Sequence, residues 1–330
     1  MSKAASRPRP AVRREAVLRR AITPRNVRTR RIAFEYPPEK LPRHYVNGDL
    51  VMSHIVTVLS SLFPEGEDYF VRTVRNYRDR IDDPELKRQV AGFIGQEVTH
   101  GREHRQFNER LASYGYPTRL IDRMTKYGLG FNEKVLPKSV QLAITAALEH
   151  YTATLAEVLL KDPEAQAMFD VDEVRSMFQW HALEENEHKS VAFDVYETVS
   201  GNHRIRTWVM HFTTLGLLGA IIAGTVLSLL LDRSTYNPLR LFPSLRKLPR
   251  SPWLRREVIR HLRDYHRRGF HPDDHDTSEL IAEWKTRLFG TDGALADRMK
   301  GPGPGQLADE PGPGQLAGEP GPGPGSAAAV

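Results

Sequence analysis

Val174-Arg-Ser-Met-Phe-Gln-Trp-His181-Ala-Leu-Glu-Glu185-Asn-Glu-His188 is the stretch on which the reading of this chain turns. Val174, Phe178, His181, Glu185 and His188 recur at three- and four-residue steps, which places them on one helical face. Ala192 and Val195 extend the face, so a helix is predicted from about Val171 to Val199, closed by Gly201-Asn202. A carboxylate and two imidazoles on an apolar stripe are costly to bury unless something compensates them.

Three further stretches carry the complementary groups. A helix predicted from Pro84 to about Tyr114, started by Asp82-Asp83-Pro84, holds Glu97 and His100 on a face with Val90, Phe93, His104, Phe107 and Leu111. Another, from about Pro137 to Leu160, places Glu149 with Leu142, Thr145, Thr152 and Ala156. A segment capped by Asn47 or Asp49 should run to about Phe63, and Pro64 should open a separate piece to about Arg80 that carries Glu67. With 13 His in the chain a lone Glu-x-x-His pair is weak. Two such pairs, each preceded by an isolated Glu one helix upstream, are more specific. That order supplies a two-metal site between four helices. His181, His-x-x-x-Glu185, adds a third imidazole. His104, His150 and Glu184 are read as outer partners of the ligands, and Glu187 as solvated or paired with Lys189.

Both ends differ from the body. Residues 1–33 carry eleven Lys/Arg against one acid, Glu15, and are read as a basic disordered arm. The whole chain is only +6, so the body is net negative and nucleic-acid binding is not expected. Residues 301–330 hold nine Gly and seven Pro and are read as a second disordered tail. The absence of Cys excludes disulfides, thiolate metal sites and cysteine nucleophiles, and suits a cytoplasmic location.

No stretch alternates with period two, so the fold class is all-α: a four-helix bundle over 45–205 with additional C-terminal helices over 238–295. The latter include Trp253 to about Arg268 and Ser278 to about Phe289. Between them the acid and His cluster of 269–276 is read as helix capping by Asp276 or Thr277. Residues 207–231 contain no Asp, Glu, Lys or Arg. Their length permits a membrane span, but basic residues flank both sides, so membrane contact and burial in the protein or an oligomer interface stay open.

Phe63-Pro-Glu-Gly-Glu-Asp-Tyr-Phe, Phe93-Ile-Gly-Gln-Glu-Val-Thr-His, Leu148-Glu-His-Tyr-Thr-Ala and Trp180-His-Ala-Leu-Glu-Glu-Asn-Glu-His-Lys, with Gly269-Phe270-His271-Pro272, resemble the bacterial predicted metal-dependent hydrolase family over about 45–290. The ligand order is also similar to ferritin-like di-iron proteins of the p-aminobenzoate N-oxygenase type. That resemblance implies a ferritin-like bundle in which Glu67, Glu97 and His100 hold one iron and Glu149, Glu185 and His188 the other. It further implies that Glu97 and Glu185 bridge and that His181 is an additional ligand.

Carboxylates mixed with imidazoles suit iron first, with Mn or Zn as alternatives. The expected activity is O2-dependent oxidation or oxygenation of a small or lipidic molecule, drawing on an external electron donor. The alternatives are a di-metal hydrolase, which the hydrolase resemblance implies, and a non-catalytic metal-stabilised bundle.

Overall fold

Asp49 starts the first helix: its side chain accepts from the Met52 amide at 3.0 Å, satisfying one of the free N–H groups of the first turn. The structure is a computed structural model and describes residues 21–299. Helix α1 (Leu50–Arg75) is continuous, and Pro64 lies inside it. The break expected at Phe63 does not occur. Proline removes the donor to the carbonyl four residues back. The Asn108 side-chain amide donates to that carbonyl, on Ser60, at 2.8 Å and so repairs the gap.

Helix α2 (Pro84–Ser113) is capped by Asp83, which accepts from Leu86 N. Helix α3 (Thr118–Val135) follows, over residues for which no helix was foreseen. Helix α4 (Lys138–Lys161) ends at Asp162, whose carboxylate caps the short α5 (Pro163–Ala167). The long helix expected from Val171 to Val199 is two: α6 (Asp172–His188) and α7 (Val191–Val199), separated by a turn at Lys189-Ser190. The break falls directly after His188. Lys189 there is buried and donates to the His275 carbonyl and to Thr277 Oγ1 at 2.9 Å, tying the turn to a distant loop.

Helix α8 (His203–Leu230), capped by Asn202, packs on α1 and α4; α9 (Pro238–Lys247), α10 (Arg256–Asp264) and α11 (Ser278–Phe289) complete the chain. The described residues contain no strand, and the all-α class holds. Asp276 caps its own neighbourhood by accepting from Ser278 N, as expected.

Helices α1, α2, α4 and α6 bracket a polar layer between two apolar ones. On one side Met52, Phe107, Leu111, Ala156, Met177 and Trp180 pack together. On the other side Phe70, Val74, Val90, Phe93, Leu142 and Val191 do so. Each fully buried large side chain contributes roughly 1.5–3 kcal/mol, and these two layers fix the helices that carry the Glu and His residues.

The part of the expected disordered arm that the structure describes, residues 21–33, is packed on the protein. From Ile22 the chain runs extended along α2, burying Val27, Arg30 and Ile32. Two glycines of α2 permit the approach: a Cβ on Gly92 would overlap the Val27 carbonyl, and one on Gly95 would overlap the Thr29 hydroxyl. Residues 1–20 and the Gly/Pro-rich tail from 301 lie outside the described residues.

The apolar segment is not buried within the chain. Helix α8 keeps Val209, Met210, Thr225 and Ser228 against the bundle, while Trp208, Phe212 and Ile222 are more than 60% exposed. It is one helix that is long and apolar enough to cross a membrane by length and composition.

Candidate metal centre

Side chains from four helices converge. Glu67 comes from α1, Glu97 and His100 from α2, Glu149 from α4, and His181, Glu185 and His188 from α6; all seven are buried. Donor atoms of Glu67, Glu97 and His100 lie within 4.8 Å of one another, as do those of Glu97, Glu149 and His188 and those of His100, His181 and Glu185. Glu97 belongs to two of these groups. Glu185 likewise faces both sides, with Oε1 3.6 Å from His100 Nδ1 and Oε2 3.7 Å from His188 Nε2.

The direction of each imidazole can be worked out from its outer partner. Asn108 donates its amide N–H to the Ser60 carbonyl, so its Oδ1 accepts the Ser60 hydroxyl at 2.8 Å. Ser60 Oγ must then accept from His104 Nδ1 at 2.8 Å, and His104 Nε2 must accept from His181 Nδ1 at 2.6 Å. His181 is left with a lone pair on Nε2, 2.9 Å from Glu185 Oε1. Gln96 donates its amide to Glu187 and to the Arg28 carbonyl, so its Oε1 accepts from His188 Nδ1 at 2.9 Å. The His188 Nε2 lone pair then faces Glu97 Oε1 at 3.1 Å and Glu149 Oε2 at 3.3 Å. His100 donates Nε2–H to Glu184 Oε2 at 3.0 Å and turns Nδ1 inward.

All three rings therefore donate outward and present lone pairs to carboxylate oxygens. Nine inward atoms have no hydrogen-bond partner: both oxygens of Glu67, Glu97 and Glu149, Glu185 Oε2, His100 Nδ1 and His188 Nε2. Lone pairs facing lone pairs in a buried site repel unless cations or protons lie between them. Four carboxylates are matched in charge by two divalent cations, and outward N–H bonds from His are the usual companions of metal ligation. The residues fit metal ions.

Protons take the cations' place in the electrostatics of the protein alone. Burial, then repulsion from Glu185, raises Glu67 far above the carboxylate range; burial and Glu149 do the same to Glu97. Burial pushes Glu149 up to about 7. Burial pulls His188 down, but the carboxylates of Glu149 and Glu185 outweigh it and hold it well above its ordinary value. Burial and the neighbouring His181 depress His100, which stays neutral and able to ligate.

A family model described as predicted metal-dependent hydrolase matches residues 28–276, a span that includes the entire cluster. The chain belongs to that family. No curated protein and no solved structure matches it.

In this metal-dependent hydrolase family member the outer layer departs from expectation. Glu187 is neither solvated nor paired with Lys189. It accepts from both Arg30 nitrogens at 2.7 Å and forms an ion pair with Lys285 at 2.9 Å. Arg30 also donates to Glu184 at 2.8 Å, so one guanidinium from the N-terminal segment steadies the partners of both His100 and His188. Glu184 accepts from His100, and His104 meets His181 at 2.6 Å, with donor atoms of Glu67, His104 and His181 also within 4.8 Å of one another. His150 is not an outer partner: its Nε2 pairs with the His261 carbonyl at 3.0 Å and its ring packs on Tyr265 and Phe270, away from the cluster. Arg30, Gln96, Glu187, Ser60 and Asn108 were not foreseen. A cavity of about 450 Å³ reaches Glu187 from outside, lined in part by Arg25, Asn186, Lys189, His275 and Lys285.

A second group, His44, His54 and Asp232, is of a different kind. Asp232 Oδ2 accepts from Arg43 at 3.1 Å, His44 at 2.9 Å and His54 at 3.2 Å, and His54 Nδ1 pairs with Ser228 at 2.6 Å. With a guanidinium already present the carboxylate charge is met, and the group fastens the end of α8 to α1.

Proposed function

We propose that this chain is a two-metal enzyme whose reaction is hydrolytic. The observation that carries the proposal is the set of three outward-donating imidazoles whose inner lone pairs meet four buried carboxylates lacking other partners. Family membership supports the hydrolytic class. Glu67, Glu97, His100, Glu149, His181, Glu185 and His188 would be the ligands. Two divalent cations held by these residues would supply Lewis acidity and a water activated for attack on a polarised bond, and iron would supply redox equivalents as well. The protein's own part is to hold donors rigidly, keep His100 neutral and exclude bulk water through the apolar layers on either side.

A second reading, O2-dependent oxidation at a di-iron centre, is favoured by the placement of one donor set on each of four helices. Metal analysis of protein purified without added metal, with anaerobic turnover on an ester and phosphoester panel, separates the two. Chelator-sensitive anaerobic hydrolysis supports the first. Iron near two per chain, with O2 consumption and no hydrolysis, replaces it with the second. Glu97→Ala and His188→Ala should each lower metal content; wild-type occupancy in both would remove the site itself.

A further inference from the structure

The bundle leaves a broad apolar surface on neighbouring helices. On α8 the exposed side chains Trp208, Phe212, Leu215, Ile222, Val226 and Leu230 follow helical spacing along one face. On α3 Leu120, Met124, Tyr127, Phe131 and Val135 do the same. The two helices adjoin: a Cβ on Gly224 of α8 would lie 2.8 Å from Val58 of α1 and 3.7 Å from Ile121 of α3. Helix α9 follows with Leu239, Phe242 and Leu245 exposed. Exposed apolar stripes on helices that meet at Gly224 and Ile121 mark an interaction site.

Charge identifies the partner. Between residues 233 and 268 there are eleven Lys/Arg against two acids, Glu257 and Asp264. Of these, Arg233, Arg246 and Arg250 lie on or beside α9, are exposed and make no ion pair among the described residues. A second copy docked through this face would bring like charge against like charge. An anionic lipid surface meets both the basic residues and the apolar stripes, and Trp208, Tyr127 and Tyr236 are the residue types that favour the water–lipid boundary.

We propose that α3, α8 and α9 form a docking face for an anionic lipid bilayer, with α8 lying along the surface instead of crossing it. Both ends of α8 are fastened to the bundle. Arg206 at its start is buried, its guanidinium about 5.0 Å from the ring centres of Phe193 and Tyr265. Asp232, just past its end, is held by Arg43, His44 and His54. Thr225 and Ser228 near one end and Val209 and Met210 near the other face the protein, so the helix has no free length with which to span. The docking face is independent of the metal reading.

Flotation of the full chain with vesicles of phosphatidylcholine, alone or with phosphatidylglycerol added, tests this. Binding should require the anionic lipid, weaken at high salt and be released by carbonate. Brominated acyl chains should quench a tryptophan signal that Trp208→Phe removes. Phe212→Glu and Phe131→Glu change only exposed positions and should each lower partitioning by about tenfold or more. Absence of flotation overturns the proposal. Flotation without Trp208 quenching overturns it too, because the basic N-terminal residues would then suffice. Resistance to carbonate makes α8 a span, and a solution dimer split by Phe212→Glu, with vesicles ignored, makes a second copy the occupant; both overturn it.

Discussion

Pro64 leaves the carbonyl of Ser60 without its helical donor, and Asn108 supplies one from the facing helix at 2.8 Å. That single bond orients the Asn108 amide. Through Ser60 and His104 it also determines which nitrogen of His181 carries the proton. Asn108→Ala should cost about 1–3 kcal/mol, because a buried carbonyl loses its partner. Pro64→Ala in the same chain restores a backbone N–H to that carbonyl and should recover part of the loss. Urea unfolding of the four-member cycle measures it. Additivity within about 0.5 kcal/mol would show that the two sites do not share the carbonyl.

Arg30 makes a stronger prediction. Arg30→Ala leaves Glu184 and Glu187 buried with less compensation, Lys285 remaining for Glu187. Breaking a buried pair from one side costs roughly 3–5 kcal/mol. Metal content should fall as well, since both carboxylates restrain the partners of His100 and His188. Gln96→Ala, which touches only the His188 side, should weaken metal affinity about 10–100-fold with a smaller stability loss. Equal metal affinity in wild type and both variants would reduce these residues to packing.

The faces that carry the Glu and His residues were legible because local periodicity reports a helix face, and Glu97, His100, Glu185 and His188 sit on theirs at unmistakable spacing, although the ends of two of these helices were not. What supports them was not. Arg30 lies 154 residues from Glu184, inside a run of basic residues whose composition alone reads as solvated. Pro64 reads as a helix start because its repair comes from Asn108, 48 residues beyond Ser60. Helix α3 carries a readable stripe of Leu120, Met124, Tyr127, Phe131 and Val135 that was passed over, and the structure turns it outward, burying little besides Thr118 and Ile121. The turn at Lys189-Ser190 has no proline or glycine to announce it.

Gly92 and Gly95 distinguish a backbone obstacle from a side-chain one. A methyl group on Gly92 would meet the Val27 main chain, whereas on Gly95 it would meet the Thr29 side chain, which can rotate. Gly92→Ala should therefore displace the N-terminal segment, expose the buried Arg30 and speed tryptic cleavage after Arg28, Arg30 and Arg31. Gly95→Ala should do so far less. Equal cleavage of the two variants would mean that the segment is not held by this close approach.

The fastening of α8 should weaken in acid. Burial lowers the His54 pKa to about 4 from an ordinary 6.5, despite the adjacent Asp232. Between those values the unfolded chain binds the proton and the folded chain does not, so stability falls as pH drops from 6.5 towards 4. The Asp232 carboxylate is held below its ordinary value: burial opposes this, and hydrogen bonds from His44, Ser234 and Arg43 outweigh burial. Its contribution is present above 3.8 and is lost as pH falls further, which continues the same trend. One such group changes stability by at most about 1.4 kcal/mol per pH unit. His54→Gln removes the histidine's share while leaving the metal cluster untouched, so the difference from wild type isolates it. The stability difference between the two proteins should shift steadily between pH 6.5 and 4, with wild type losing more, and hydrogen exchange near Ser228 should rise over the same interval in wild type. A constant difference across that interval would mean that His54 takes up its proton in the folded and unfolded chains alike, and that the junction of α1 with α8 does not respond to pH.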